Sequence, residues 1–282
     1  MQLVKTIKEM QAWSRGEKAE SKSIGFVPTM GALHDGHLSL VRQSNDGNDR
    51  TVVSIYVNPA QFGPHEDLDR YPRNVEADLA KLSLYKVDAV FLPDNKEMYP
   101  EGFSLSIDVG RQGALLCGAS RPGHFNGVAV VVAKLFNIVA PHRAYFGQKD
   151  FQQTVIIKKL VRELNYDTDI IVCPIVREGD GLAMSSRNVY LNGKERKAAL
   201  VLYESLKLGQ ELIDSGSMTE ASSVQNEMSR LIASEPRAAL EYVTIVDIRT
   251  LEEVTTIKLP LAICIAATIG HTRLIDNLIV ER

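Results

Sequence analysis

Short apolar runs alternate with stretches of helical periodicity through the first two thirds of the chain, and no other feature restricts the fold as tightly. The candidate strands are Ile24–Pro28, Thr51–Val57, Ala89–Leu92, Leu105–Val109, Ala144–Phe146 and Ile170–Ile175, each rich in Val, Ile or Phe and close to Gly or Pro. The clearest helical patterns between them run through Val75–Tyr85, Val128–Val139 and Gln152–Leu164. Strands that alternate with helices require right-handed crossovers and a mainly parallel sheet. The expected architecture is therefore α/β, with a Rossmann-like parallel sheet over residues 1–175. Ligands of such sheets gather at the carboxyl ends of the strands.

After about Ile175 the texture changes. Leu202, Leu206, Gly209 and Ile213 mark one face of a long helix, and a second helix is expected over Glu220–Ala233. Three strand-like runs follow, Glu241–Ile248, Leu261–Ala267 and Leu274–Val280. Helices followed by neighbouring strands predict a smaller α+β domain over residues 176–282, carrying an antiparallel sheet.

The 282 residues are enough for a large core and two domains. Lys and Arg total 32 against 35 acids, a formal net charge of −3, which argues against a broad nucleic-acid surface. No apolar stretch is long enough to span a membrane. The N-terminus, Met1-Gln2-Leu3-Val4-Lys5, meets charge at once and does not read as a signal peptide. Cys117, Cys173 and Cys264 are far apart and form no CxxC pair, which predicts reduced, mostly buried thiols in a cytoplasmic protein.

The strongest chemical signal follows the first good strand. Met30-Gly31-Ala32-Leu33-His34-Asp35-Gly36-His37 leads into Leu38-Ser39-Leu40-Val41-Arg42, which can open a helix. The first N–H groups of a helix lack partners and attract anions, phosphate above all. His34 and His37 are three apart and share one helix face. Gly31 and Gly36 allow a ligand to approach the backbone.

A second signal is Tyr145-Phe146-Gly147-Gln148-Lys149-Asp150, where an aromatic strand ends at a glycine. Lys149 supplies a mobile positive charge for phosphate. Asp150 can accept from ribose hydroxyls, or it can cap the helix that follows. A third is Met184-Ser185-Ser186-Arg187, after Gly179-Asp180-Gly181. Its hydroxyls, amides and guanidinium can cradle a polyphosphate, or form a polar inter-domain loop. A fourth is Val57-Asn58-Pro59-Ala60-Gln61-Phe62, which with Gln153 offers neutral amides for a small polar acid. No Walker A, G-x-G-x-x-G or G-x-S-x-G pattern sits in its required context. His65, His124, His142 and His271 lack metal-ligand spacing and read as structural, although His124 lies in an unusual glycine-rich loop.

The His34-Asp35-Gly36-His37 segment resembles the HxGH signature of the nucleotidyl-transferase superfamily, and Met184–Asn188 resembles its KMSKS loop with Arg187 where a lysine is common. Together with Tyr71-Pro72-Arg73, Arg121-Pro122-Gly123-His124-Phe125, Ala144 through Gln153 and Thr272-Arg273-Leu274-Ile275-Asp276-Asn277, these pieces resemble the pantothenate synthetase family, in order and spacing over nearly the whole chain. The resemblance implies an AMP-forming ligase that joins pantoate to β-alanine through a pantoyl adenylate, with ATP as co-substrate and Mg²⁺ on the triphosphate. It implies that Met30, Gly31, Ala32, Leu33, His34, Asp35, Gly36 and His37 line the ATP site, with His37 the proton donor. Gly147, Gln148, Lys149 and Asp150 would hold ribose and phosphate, Val176 would meet adenine, and Met184, Ser185, Ser186 and Arg187 would close over the triphosphate. His34, Lys149 and Arg187 would join His37 in the catalytic set. Gln61 would bind pantoate and β-alanine, and Gln153 pantoate. Glu76 and Asp78 fall where the family carries acids and are the expected Mg²⁺ ligands, although Ala77 breaks the acidic run and Asn126 replaces an acid expected after His124-Phe125. The family pattern also implies a homodimer and a lid made of residues 176–282.

Two rivals share part of these signals. An adenylyltransferase that releases a dinucleotide or CDP-like product would share the two phosphate loops but would not need the Gln61/Gln153 pair. A silent nucleotide-binding regulator would be expected to have lost a histidine or Lys149. A truncated tRNA synthetase is disfavoured by the net charge and the short C-terminal region.

Overall fold

The structure, a computed structural model, describes residues 1–64 and 66–281. Six strands among the described residues form one sheet: β1 (Gln2–Val4), β2 (Ile24–Thr29), β3 (Arg50–Ile55), β4 (Ala89–Phe91), β5 (Arg143–Gly147) and β6 (Asp169–Cys173). Every pairing in it is parallel, and the order is β1-β4-β3-β2-β5-β6. Successive side chains of a strand face opposite sides. Phe26, Val52 and Phe91 accordingly belong to one apolar cluster, and their neighbours Val27, Val53 and Val90 to another.

Helices α1 (Ile7–Ala19), α6 (His124–Val139) and α7 (Phe151–Glu163) cover the first face with Met10, Val128, Phe136 and Ile156. Helices α2 (Asp35–Gly47) and α3 (Val75–Leu82) cover the second with Leu38, Val41 and Leu82. The one-turn helices α4 (Asn95–Met98) and α5 (Cys117–Ser120) add Met98 and Cys117 to the first cluster.

The C-terminal part holds α8 (Gly193–Ala198), α9 (Leu200–Asp214), α10 (Ala221–Ala233), β7 (Ala238–Asp247), β8 (Leu261–Ile269) and β9 (Thr272–Val280). Its three strands pair antiparallel in the order β7-β8-β9. Ile263 and Ile265 of β8 pack with Leu202, Leu206, Val224 and Met228 of the two long helices. Ala262 and Cys264, on the opposite face, pack against Phe151 at the start of α7. The small sheet is thus a layer between its own helices and the parallel-sheet part.

Several sequence expectations differ. Leu105–Val109 joins no sheet: Leu105, Ser106 and Asp108 are exposed, and Val109 is helical rather than extended, with side chains meeting its backbone groups. The Val109 amide donates to Asn126 Oδ1 at 3.2 Å, and Lys159 Nζ donates to the Val109 carbonyl at 3.0 Å. β1, only three residues long, and α1 were not expected. The chain also starts α6 a turn earlier than the apolar pattern, at His124, after Gly123 takes a left-handed φ of 80°. All three cysteines are buried and free. No helix among the described residues is long and apolar enough to cross a membrane. His65 lies outside the described residues.

Candidate active site

β2 and β5 are neighbours, yet the chain leaves β2 toward β3 and leaves β5 toward β6, in opposite directions across the sheet. Their carboxyl ends therefore frame a crevice at a topological switch point. The Met30–His37 segment leaves the end of β2, and Gln148–Asp150 leaves the end of β5.

The first segment turns sharply, with Gly31 at φ 81° and Ala32 at φ 50°. Such a turn needs its amides held. Asp78, buried at the start of α3, accepts from the Ala32 amide at 2.9 Å and the Leu33 amide at 2.8 Å through its two carboxylate oxygens. Lys81 donates to the Leu33 carbonyl from the same helix. A Cβ on Gly31 would come within 2.9 Å of Asp78, so glycine is required there on two counts.

His34 ends this turn as the N-cap of α2, which begins at Asp35 rather than at Leu38. The His34 Nδ1 accepts from the Gly36 amide at 3.1 Å, and His37 Nδ1 lies 3.4 Å from the His34 amide. One helix-start N–H is thus used by an imidazole instead of remaining free. With Nδ1 as acceptor on each ring, the assigned tautomer carries its hydrogen on Nε2. The rings stand 4.1 Å apart at 42°. Burial, then the positive charge of Lys149, lowers the His34 pKa to about 4. Burial, then His34, lowers that of His37 well below its usual value. In the protein alone both rings are neutral at pH 7, so each offers a hydrogen-bond donor rather than a cation.

Across the crevice, Lys149 Nζ lies 4.0 Å from Asp150 Oδ1. Asp150 precedes α7 without a side-chain cap bond, which leaves its carboxylate for another partner. The Met184–Arg187 loop closes the third side. Ser186 Oγ is 3.1 Å from the Tyr71 hydroxyl, and Arg187 forks onto Asp67 at 2.9 and 2.7 Å while lying over the Tyr71 ring. Burial raises the Asp67 carboxyl, and the Arg187 guanidinium more than reverses this, leaving it below its usual range.

Gln61 is buried on the short turn after β3. Asn58 donates to its Oε1 at 3.0 Å and to the Gly127 carbonyl at 3.2 Å, and Tyr99 donates to Asn58 Oδ1 at 2.7 Å. His124 Nδ1 meets the Gln61 carbonyl at 2.7 Å, and Arg121 Nε donates to Glu66 at 2.9 Å beside it.

One cavity of about 220 Å³ brings these parts together. It is lined by Met30, His34, Gly36, His37, Gln61, Gly147, Lys149, Asp150, Gln153, Val176, Met184, Ser185, Ser186 and Arg187. A second compartment of about 660 Å³, toward β9, shares Arg121, His124, Lys149, Asp150, Gln153 and Arg187 with it. Gly31, Ala32, Leu33, Asp35 and Gln148 line neither compartment. Leu33 is in the core, Asp35 is exposed, and Gln148 is turned toward Asn277. The expected metal pair is already partly engaged. Both Asp78 oxygens already accept backbone N–H bonds, and Glu76 is exposed. No group of three or more His, Cys, Asp or Glu among the described residues is placed to hold a metal.

The sequence profile of the pantoate-beta-alanine ligase family matches residues 2–279. The chain belongs to this family. It is 53% identical over 281 residues to pantothenate synthetase from Acetivibrio thermocellus, covering all of both chains. It is 52% identical over 279 residues to that from Thermotoga petrophila, covering 99% of each. A crystal structure of pantothenate synthetase from Thermus thermophilus superposes with a TM-score of 0.95 at 43% identity, over the full length of both. The Francisella tularensis ligase, solved with a βγ-ATP compound and β-alanine, gives 0.82 at 36% identity, covering 99% of this chain and 97% of that one.

Against this family background, several residues around the crevice escaped the sequence. His124 read as structural but lines both compartments; burial, then Arg121, lowers its pKa to about 4. Its only sequence signal was the glycine-rich loop. Asp67 meets Arg187 from 120 positions away, a contact no local pattern reports, and Tyr71, noted only as part of a family motif, meets Ser186.

Proposed function

We propose that the protein condenses pantoate with β-alanine in an ATP-dependent reaction that releases AMP and pyrophosphate. The observation that carries this is one crevice holding two neutral imidazoles, a lysine, a Ser-Ser-Arg loop and two glutamine side chains. In the first half-reaction a carboxylate oxygen of pantoate forms a bond to the α-phosphorus of ATP, and the bond to pyrophosphate breaks. In the second, the amine of β-alanine forms a bond to the acyl carbon, AMP leaves, and the amine gives up a proton. Neither step needs an enzyme nucleophile. The work is alignment and stabilisation of charge on phosphate oxygens.

Lys149 and the Nε2–H groups of His34 and His37 suit the α-phosphate, and Ser185, Ser186 and Arg187 suit the leaving pyrophosphate. Arg187 would exchange the Asp67 carboxylate for phosphate, since both match its planar fork. Gln61, already oriented by Asn58, and Gln153 suit the pantoate hydroxyls and carboxylate. His37 serves as a hydrogen-bond donor at neutral pH, and the negative charge of ATP would raise its affinity for a proton. Mg²⁺ would arrive on the triphosphate, while both Asp78 oxygens hold the Ala32 and Leu33 amides. Residues 176–282 would act as a lid, and the family pattern supports a cytoplasmic homodimer, which sedimentation would check.

The test is direct. Protein, ATP, Mg²⁺, pantoate and β-alanine should give AMP and pantothenate in equal amounts. Pantoate alone should support exchange of labelled pyrophosphate into ATP. Exchange without pantoate, or AMP without pantothenate, would overturn the proposal. His37→Ala should abolish the exchange with the fold intact, and unchanged turnover would remove His37 from the mechanism.

A further inference from the structure

The Thr272–Asn277 segment forms the first two thirds of β9, and nothing in the chemistry above uses it. Two of its three buried polar residues, Asp276 and Asn277, reach both ATP-facing segments. Asn277 Nδ2 donates to the carbonyls of Gln148 at 3.0 Å and Lys149 at 2.9 Å, and Gln148 Nε2 returns a bond to Asn277 Oδ1 at 3.3 Å. Asp276 receives both terminal nitrogens of Arg177, at 2.6 and 3.0 Å. Arg177 also donates to the Gly181 carbonyl at 3.0 Å and lies 4.2 Å over the Tyr203 ring. It stands at the base of a hairpin closed by the Arg177–Ala183 bridge and the Met184 amide to Val176 carbonyl bond at 3.0 Å. That hairpin delivers Met184–Arg187.

Strand alternation explains how adjacent residues serve two segments. Leu274 and Val280, on the Asp276 side, pack into the cluster of α9 and α10, where Tyr203 stands. Ile275 and Ile279, on the Asn277 side, pack toward the parallel-sheet part. The Asn277 amide itself donates to Asp276 Oδ1 at 2.8 Å, which ties the two anchors together. A packing role alone would be served as well or better by apolar side chains, since buried polar groups gain little net stability.

We propose that Asp276 and Asn277 are positioning residues of the nucleotide site. Asn277 sets the Gln148–Lys149 turn and so the place of the Lys149 ammonium. Asp276, through Arg177, sets the hairpin that carries the Ser-Ser-Arg loop. One strand of the small sheet thus holds two segments of the ATP crevice in register. The inference rests on the ATP-binding part of the function proposed above.

The experiment is a thermodynamic cycle in ATP affinity, measured by calorimetry on the full chain. Asn277→Ala should weaken ATP about tenfold, and the same change in a Lys149→Ala background should have almost no further effect, because coupled sites are non-additive. Asp276→Asn should behave likewise against Arg187→Ala. Leu278→Ala, a packing change on the same strand, should lower Tm without altering ATP affinity. If Asn277→Ala fails to fold, Asn277→Ser, which keeps one donor, is judged by the same criteria. ATP affinity within twofold of wild type in the Asn277 variant, or full additivity with Lys149→Ala, would overturn the inference. A wild-type chain that binds ATP but shows no pantoate-dependent exchange would sink the function and leave this cycle decisive; one that binds no ATP would sink both.

Discussion

Replacing Asp78 separates an anchoring role from a metal-binding one. In Asp78→Ala the amides of Ala32 and Leu33 lose their acceptor inside the protein, where the side chain is only 2% exposed. Hydrogen bonds to a charged group contribute about 1.5–3 kcal/mol each, so losing two costs about 3–6 kcal/mol. Release of a buried carboxylate offsets part of this, which places the expectation near the lower figure, about 3 kcal/mol. A shift of about 2–4 °C per kcal/mol, typical of chains of about 150–250 residues, puts the loss in Tm at about 6–12 °C. Asp78→Asn keeps one acceptor oxygen but turns an NH₂ group toward the other amide, so it should lose about half as much. The left-handed pair Gly31 and Ala32 would no longer be pinned, and ATP affinity should fall together with stability, with or without Mg²⁺. Urea unfolding and ATP calorimetry, each at two metal concentrations, measure both quantities. A variant that keeps the wild-type Tm and loses only the Mg²⁺-dependent part of ATP binding would refute the anchoring role and restore Asp78 as a metal ligand.

Gly127→Ala should damage the acid-binding side of the crevice selectively, because its Cβ would collide with the Ala60 carbonyl and press within 2.8 Å of the Gln61 amide. Steady-state kinetics should show kcat/KM for pantoate down on the order of tenfold to a hundredfold, with ATP affinity little changed. Asp67→Asn should tighten ATP binding, up to about fivefold, by weakening the contact that Arg187 must leave; calorimetry showing weaker binding would count against that exchange. His34, His37 and His124 all have folded-state pKa values below the unfolded 6.5, the first and last at about 4. The unfolded chain therefore takes up protons at these rings before the folded one does. Their neutral burial is tolerated fully above about 6.5, and stability should decline as pH falls from there toward 4. Calorimetric Tm measured over that range should fall less steeply in His34→Gln than in wild type.

Much of this molecule was legible in its residue order because the controlling physics is local. Strand runs of Val, Ile and Phe, glycines at turns and helical periodicity report on neighbours a few positions away, and they located β2 to β6, α2, α3, α6, α7, α9 and α10, the antiparallel C-terminal sheet and the loops at the strand ends, though not α1. Edges were less legible: β1 is too short to show a period, and Leu105–Val109 has a strand's composition, but the Val109 amide donates to Asn126 and its carbonyl accepts from Lys159. The tertiary structure alone decided what each polar side chain does, since that depends on partners far away in sequence. Asp78 read as a metal ligand from its place in the sequence, and the fold gives it a turn to hold 45 residues back. Gln152 and Gln153 are adjacent and identical in kind, yet helix geometry buries the first against the Gln112 and Leu115 carbonyls and turns the second to the crevice. A carboxylate or an amide carries no mark of its partner; the fold supplies the partner, and with it the role.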